Sequence, residues 1–196
     1  CVGDLHGLGL HLNFGGGQAG FIASHDDMRY ITEFKELVDG MVETTVPGEQ
    51  GYSVVLIERT HYAMRENGKE FTGTQNNLWT APVAVYLSLM GPKGMEEIGH
   101  TIMTNAKYAA KKLAGIPGVS LRFPSVFFKE FVVNFDKTGK TVEEINQQLL
   151  SRQIFGGVDL SRDYPELGQS ALYCVTETAD KESIDRLAGA LQAILN

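Results

Sequence analysis

Apolar residues in the first part of the chain form short runs that glycine and polar turns separate. The run LGLHLNF ends at Gly15-Gly16-Gly17 and is followed by GFIAS, which predicts two short strands in a hairpin or a tight return. The polar residues 24–27 predict the cap of a short helix that continues to Phe34. After the turn residues of VPGEQG, residues 52–57 are predicted to form another strand.

Two long helical patterns follow. The run NLWTAPVAVYLSLM, residues 77–90, is apolar on nearly all sides, so it predicts a buried helix with Pro82 near its first turns or at a kink. The sequence GPKG then breaks the helix. A second helix is predicted over residues 95–114, because apolar residues recur there at spacings of three and four. Its amphipathic face consists of Met95, Ile98, Ile102, Ala106, Ala109 and Leu113.

The remainder of the chain alternates between strand and helix patterns. Strands are predicted at VSLRF, FFKEFVVNF and SALYCVTE. One face of the second strand carries Phe127, Phe131, Val133 and Phe135. TVEEINQQLLSRQI predicts a helix that begins with a capping box of Thr141 and Glu144, and Asp180 caps a final helix. From about residue 91 to residue 196 the sequence therefore predicts an α+β unit that closes its own core.

Composition and charge narrow the class of protein. A chain of 196 residues, 43% of them hydrophobic, is long enough for one large or two small packed domains. The net charge of −7, with basic residues scattered among acids, argues against a nucleic-acid-binding surface. No apolar run is long enough to span a membrane, so we expect no membrane partner.

The two cysteines, Cys1 and Cys174, form neither a disulfide framework nor a metal-binding spacing. Cys174 lies in the apolar run ALYCV, which predicts a buried, reduced thiol and a cytoplasmic location. Cys1 is not an initiating residue, and the opening sequence is typical of the middle of a domain. We therefore expect the chain to be the C-terminal part of a longer protein.

Two polar or glycine-rich segments are candidates for anion binding. Gly15, Gly16, Gly17 and Gly20 are able to present backbone N–H groups to a phosphate, or they form a tight turn between strands. In TGTQNN, residues 72–77, the polar groups precede a helix and suit an anion, although simple capping by Asn76 or Asn77 is the alternative.

The remaining polar residues are less distinctive. The five histidines have no metal-ligand spacing, which predicts no metal site. Nothing in the sequence SLRFP distinguishes Arg122 from a surface arginine.

The order of several segments resembles the glycine decarboxylase P-protein of the glycine cleavage system, and in particular its first subunit where the enzyme is split in two. The segments are GLHLNFGGGQAGFIAS, ERTHYAMRE, AVYLSLMGPKG and CVTETADKESIDRL, whereas NGKEFTGTQNNLW matches only loosely. The resemblance implies the fold-type-I architecture of transferases that depend on pyridoxal phosphate. Residues 1–75 would be the truncated C-terminal part of its large α/β domain. Residues 76–196 would be bridging helices and its small C-terminal α+β domain.

The resemblance also implies how the cofactor is held. In related chains that hold pyridoxal phosphate, a His-Lys pair precedes the glycine-rich run, but here His11 is followed by Leu12. Leucine has no amine for an imine, so the cofactor is expected on a lysine of a second P-protein subunit. No catalytic residue is then predicted in this chain. Related enzymes often place an arginine for a substrate carboxylate at the position of Arg122, after a strand of the small domain, and a surface arginine is the alternative. Residues expected to contribute to the partner's cofactor site are Gly15, Gly16, Gly17, Thr72, Thr74 and Asn76.

The implied function is that of a subunit of glycine dehydrogenase (aminomethyl-transferring), an oxidoreductase of glycine catabolism. The complex decarboxylates glycine and passes the aminomethyl group to the lipoyl carrier protein, while the isolated fragment is expected to be inactive. Two alternatives remain. The chain is a non-catalytic structural subunit, or it belongs to a self-sufficient pyridoxal-phosphate enzyme, similar to an aminotransferase, whose lysine is expected in a missing N-terminal part.

Overall fold

The computed structural model describes residues 1–10, 18–34, 38–61, 63–69 and 77–196. The chain divides into two compact units, Cys1–Gly91 and Pro92–Asn196. The two units are separated by their internal contacts and not by comparison with the family architecture. The domain boundary predicted between residues 75 and 76 therefore stays a prediction.

The first unit contains two separate antiparallel strand pairs. Strand β1 (Val2–Asp4) pairs with β2 (Gly20–Ile22), and β3 (Val38–Glu43) pairs with β4 (Gln50–Val55). The strand predicted in GFIAS is confirmed as β2, but its partner is β1. The pattern does not predict β3, because acidic residues and a glycine interrupt its apolar positions.

Two other predictions for the first unit need correction. The strand predicted to begin at Leu8 is wrong for the described residues 8–10. Residues His6–Leu10 form a distorted helical turn, in which Gly9 has a φ of 87°. The capped helix α1 (Met28–Ile31) is present, with the Asp27 side chain accepting a hydrogen bond from the Arg29 N–H, but it ends at Ile31 and does not continue to Phe34.

Helix α2 (Asn77–Ala114) is divided at Gly91, whose φ of 61° and ψ of 179° are accessible almost only to glycine. We call residues 77–90 and 92–114 its first and second segments. The predicted break at GPKG is confirmed, and Pro92 begins the second segment, where a missing N–H costs little.

The prediction that residues 77–90 form a buried helix is wrong for this chain by itself. Leu78, Val85, Leu87 and Leu89 are exposed, Leu89 to 80%. The buried cluster of the first unit is small and contacts the helix around Val83, so most of the apolar helix surface has no cover within the described part of that unit.

The second unit contains a four-stranded antiparallel sheet in the order β5-β6-β8-β7. Its strands are β5 (Ser120–Leu121), β6 (Glu130–Asn134), β7 (Val158–Asp159) and β8 (Ser170–Cys174). Phe131 faces Tyr173 and Val133 faces Ala171 across β6 and β8, so these side chains share one face of the sheet. That face contributes to one core with the second segment of α2, α3 (Val142–Leu150) and α4 (Lys181–Leu195).

The periodicities that predicted this α+β unit are confirmed. Fully buried core residues include Leu113, Val133, Phe135, Ile145, Leu149 and Leu191. The capping box is also present: the Thr141 hydroxyl accepts from the Glu144 N–H, and the Glu144 carboxylate accepts from the Thr141 N–H at 2.8 Å. Asp180 caps α4 by accepting from the Ser183 N–H.

The prediction that Cys174 is buried is wrong. Cys174 is exposed, because the strand alternation that turns Tyr173 into the core turns the next side chain outward. Partial burial of the thiol raises its pKa, as does the Glu130 carboxylate, while Lys129 lowers it. The net rise does not favour the thiolate that a nucleophilic cysteine requires.

Asp185 connects α4 to the second segment of α2. Its carboxylate accepts hydrogen bonds from the Tyr108 hydroxyl at 2.6 Å and from Lys181 at 3.0 Å, and it forms an ion pair with Lys112 at 2.9 Å. The hydrogen bond from Lys112, followed by those from Tyr108 and Lys181, holds the pKa of Asp185 far below its usual range. The ionised carboxylate is therefore the form that stabilises the folded unit.

We expect the Asp185→Asn variant to lose part of the acid sensitivity of the second unit. A depressed carboxyl pKa contributes stability above the unfolded value of about 3.9, and this contribution disappears as the pH falls toward the folded value. Urea unfolding between neutral and strongly acidic pH should therefore show a steeper loss of stability in the wild type than in the variant. Asp163→Asn is the control at an exposed carboxylate, and a wild-type slope in Asp185→Asn would contradict the prediction.

Candidate functional site

The ends of the glycine-rich segment pack against the first segment of α2. Leu10 and Ala19, which lie on either side of residues 11–18, form a buried cluster with Val83. Leu5, Leu8 and Trp79 are partly buried against this cluster. The Leu5 N–H also donates to the Ala19 carbonyl at 3.0 Å, which fixes the two ends of the segment side by side.

The position of residue 9 has no room for a side chain, so glycine is required there for the backbone to pack against the helix. The φ of 87° at Gly9 is unfavourable for other residues, and an added Cβ would lie 3.0 Å from the Tyr86 Cβ. The backbone leading into the glycine-rich segment therefore lies directly against the helix.

The six residues predicted to contribute to a cofactor site lie outside the described residues: Gly15, Gly16, Gly17, Thr72, Thr74 and Asn76. Gly20, a further residue of the glycine cluster, lies in β2, where an added Cβ would be 2.8 Å from the Gly3 carbonyl oxygen. The close pairing of β2 with β1 is therefore sufficient to explain why residue 20 is a glycine. The structure does show the residues that flank the two predicted segments. Leu10 and Ala19, which we call the stems of the glycine-rich segment, pack on the helix that begins at Asn77, directly after the Thr/Asn-rich segment.

The beginning of the helix at Asn77 favours negative charge nearby. The first backbone N–H groups of an α-helix lack partners within the helix, and its dipole adds partial positive charge. The helix that begins at Asn77 runs 14 residues to the break at Gly91. An anion near its beginning would be stabilised.

Arg59 and Thr60 are buried, to 7% and 1% exposure, in the segment ERTHYAMRE. The Thr60 hydroxyl donates to the Ile57 carbonyl at 2.7 Å, and the Lys69 N–H donates to the Arg59 carbonyl at 3.0 Å. Sequence reasoning missed this buried guanidinium because arginine is seldom enclosed. The sequence offered one indication that Arg59 is structurally important: it lies in a segment that carries part of the family resemblance.

The described lysines lack the burial within this chain that would favour a neutral amine. The amine that forms an imine with pyridoxal phosphate must lose its proton, and burial in an apolar site promotes that loss. None of the lysines in the described ranges is buried, and Asp185 raises the pKa of Lys112 and of Lys181, which keeps both amines protonated. Lys35 lies outside the described residues.

Arg122 contacts the protein backbone. Its guanidinium donates to the Glu166 carbonyl at 3.1 Å, and the side chain is exposed. This contact supports the surface alternative for Arg122. Among the residues that the structure describes there is no group of three potential metal ligands and no helix long and apolar enough to span a membrane.

We expect Val83→Ala to loosen the two stems of the glycine-rich segment. Removing two methyl groups from this buried position should cost about 1–2 kcal/mol, because the small cluster loses apolar contacts. Hydrogen exchange should then speed up at the Leu5 and Leu8 amides. Val85→Ala is the matched control, since Val85 lies on the same helix but is exposed; equal exchange in the two variants would contradict the proposed support.

Comparison with known proteins identifies relatives along nearly the whole chain. Glycine cleavage system P-protein is the family that matches residues 1–191. The chain is 36% identical over 193 residues to the probable glycine dehydrogenase (decarboxylating) subunit 1 of Desulfitobacterium hafniense, covering 98% of this chain and 42% of the relative. The protein of the same name from Saccharolobus islandicus is 38% identical over 195 residues, covering 100% of this chain and 41% of the relative. The chain thus spans about two-fifths of the length of these relatives.

Solved structures give the same result. A crystal structure of glycine decarboxylase (P-protein) of the glycine cleavage system, in inhibitor-bound form, superposes with a TM-score of 0.84 and 28% identity over 98% of this chain and 42% of the other. A sphingosine-1-phosphate lyase from Burkholderia pseudomallei, at 16% identity and a TM-score of 0.52, covers 80% of this chain and 30% of its own, and shows the fold alone. The fold-type-I class that the resemblance implies is confirmed, whereas the expectation that this chain is the C-terminal part of that fold stays a prediction. The chain belongs to the glycine cleavage system P-protein family.

Proposed function

We propose that this chain works as a subunit of a glycine decarboxylase whose cofactor lysine lies on a second P-protein subunit. The observation that carries the proposal is Leu12, which stands where the resemblance expects lysine. The relatives named subunit 1 support a divided enzyme. When bound to the partner, pyridoxal phosphate would supply the electron sink that glycine decarboxylation requires.

Within this proposal, the two anion-binding candidates of the chain face the partner's cofactor. Backbone N–H groups of Gly15, Gly16 and Gly17 would bind phosphate oxygens, and Thr72, Thr74 and Asn76 would add side-chain groups. The support is that Leu10 and Ala19, on either side of the glycine-rich residues, pack on the helix that begins directly after the Thr/Asn-rich residues 72–76. The chain would thus complete a site without supplying a catalytic residue.

An apolar helix surface supports the presence of a partner subunit. Leu78, Val85 and Leu89 in the first segment of α2 are all more than half exposed. Exposed apolar side chains on one helix are costly in water and are typical of protein–protein contacts. We propose that the second P-protein subunit covers this helix in the cytoplasm, and that the complex transfers the aminomethyl group to the lipoyl carrier protein.

The decisive experiment locates the imine. The chain, a separately purified lysine-bearing partner, and their mixture are each treated with pyridoxal phosphate and then with borohydride, and the reduced adduct is located by peptide mass spectrometry. We expect the adduct on the partner lysine, and glycine decarboxylation only in the mixture. A specific adduct on a lysine of this chain, including Lys35, would instead favour a self-sufficient pyridoxal-phosphate enzyme.

A second measurement tests the interface. Leu89→Glu places a charge on the exposed apolar helix and should prevent co-purification with the partner. Leu150→Glu makes the same change at an exposed leucine of the second unit and serves as the control. Full association of Leu89→Glu with the partner would show that this helix surface is not the contact.

A further inference from the structure

An exposed turn of the first unit contains the one Asn-Gly pair of the sequence, Asn67-Gly68. Residues Arg65–Asn67 form a short helical turn, and Gly68 follows it. Both residues of the pair are exposed to solvent. Water and the following backbone nitrogen therefore have access to the Asn67 side-chain amide.

Few contacts restrain the reacting groups. The Asn67 amide nitrogen approaches the Met64 sulfur at 3.6 Å, and a thioether is a weak hydrogen-bond acceptor. The Gly68 N–H donates to the Arg65 carbonyl at 3.3 Å, which is longer than the usual range for such bonds. Neither contact strongly opposes rotation of the Asn67 amide toward the Gly68 nitrogen.

We propose that Asn67-Gly68 is a site of spontaneous deamidation in the folded protein. The Gly68 backbone nitrogen attacks the Asn67 Cγ, and a new C–N bond closes a succinimide ring. The bond from Cγ to the side-chain nitrogen breaks, and this nitrogen leaves as ammonia with the proton from the Gly68 amide. Water then opens the ring at either carbonyl, which gives aspartate or isoaspartate without any oxidant or reductant.

The space around residue 68 favours glycine, the residue type that also favours this reaction. A Cβ at residue 68 would lie 3.2 Å from the His61 Cβ and 3.3 Å from the Arg65 carbonyl oxygen, so a larger residue would be crowded. The absence of a side chain also leaves the attacking nitrogen unshielded. The product carries a carboxylate with an unperturbed pKa of about 3.9, so the net charge at neutral pH becomes one unit more negative.

The same chain provides internal controls. Asn134 is buried, and its amide nitrogen donates to Asp136, Ser170 and the Leu167 carbonyl at 2.8–3.1 Å. The Asn146 amide nitrogen donates to the Gly157 carbonyl at 2.8 Å. Both asparagines precede residues with side chains, Phe135 and Gln147, so both should remain unmodified.

The test incubates the intact chain at mildly alkaline pH and follows each asparagine peptide by mass spectrometry. Isoaspartate is detected by methyl transfer from S-adenosylmethionine with an isoaspartyl methyltransferase. We expect deamidation and methyl acceptance at the peptide containing Asn67, a faster rate at higher pH, and no change at Asn134 or Asn146. Asn67→Gln, a change at an exposed position, should abolish the methyl acceptance.

A synthetic peptide with the sequence of residues 63–69 is incubated in parallel. If the peptide deamidates while Asn67 in the intact chain does not, the fold protects the pair and the proposal is wrong. Equal deamidation at Asn67 and Asn134 would also overturn it, because the reaction would then follow unfolding and not this exposed turn. None of these outcomes depends on the proposed role in glycine decarboxylation.

Discussion

Phe135→Ala is expected to lower the free energy of unfolding of the second unit by about 3–5 kcal/mol, the range for truncating a buried aromatic side chain. Phe135 is fully buried and follows the last residue of β6. It belongs to the core that joins the sheet to the three helical segments of the unit. Alanine would leave a cavity in this close-packed core, which also contains Val142 and Ile145 of helix α3.

The matched control is Phe155→Ala in the same unit. Phe155 is 89% exposed, so the same truncation removes few contacts and should change stability by no more than about 0.5 kcal/mol. Urea unfolding and hydrogen exchange of the β6 and β8 amides measure both variants. Similar losses in the two variants would mean that the core of this unit is not centred on β6.

The architecture of this second unit was accessible from sequence because its signals are local and agree with one another. The apolar spacing from Ile102 to Leu113 predicts the face that is buried in α2, and Thr141 with Glu144 predicts where α3 begins. Each helix presents its apolar face to strands of the same unit. Cys174 shows the limit of the method, since an apolar run does not by itself give the strand register that turns this residue outward.

The first unit was predicted less well, for two physical reasons. An apolar helix such as residues 77–90 indicates that burial is favourable, but it does not indicate whether the burying surface belongs to the same chain. In addition, Gly9 has a positive φ and lies so close to Tyr86, which is distant in sequence, that an added Cβ would be 3.0 Å from the Tyr86 Cβ. A pattern of alternating apolar residues cannot contain that information, so the run appeared to be a strand.

The candidate site was predictable mainly through resemblance. Glycine-rich and Thr/Asn-rich segments are common, and neither defines a cofactor site alone. The absence of lysine after His11 gained meaning only from the family pattern. The structure adds that the stems of one segment pack on the helix that follows the other, which required long-range contacts between Leu10, Ala19 and Val83.

Two glycines of the second unit should respond to the same substitution with opposite signs. Gly157 is buried beside Tyr173, and an added Cβ would lie 2.7 Å from a ring carbon of Tyr173 and 2.9 Å from the Leu172 carbonyl oxygen. The Tyr173 ring is itself enclosed and stacks on Phe131 with a centroid distance of 6.1 Å. Neither neighbour is a flexible chain end, so Gly157→Ala requires the backbone or the ring to move.

That movement would also disturb a buried hydroxyl. Burial raises the pKa of Tyr173 to about 12, and the nearby Gly157 N–H lowers it. Tyr173 therefore stays neutral over the ordinary pH range, and the stability effect of the variant should not depend on its ionisation. Overpacking of this kind is expected to cost about 1–3 kcal/mol.

Gly189 gives the opposite expectation because it lies within α4 and an added Cβ would meet no atom within 4 Å. Alanine there reduces the conformational freedom of the unfolded chain, so Gly189→Ala should stabilise the unit by about 0.5–1 kcal/mol. The midpoint of urea unfolding should fall for Gly157→Ala and rise for Gly189→Ala, with an unchanged dependence on denaturant concentration. A rise in both midpoints would show that the contact between residue 157 and Tyr173 relaxes without cost. In that case the edge of the sheet at β7 is less rigidly packed than the rest of the core.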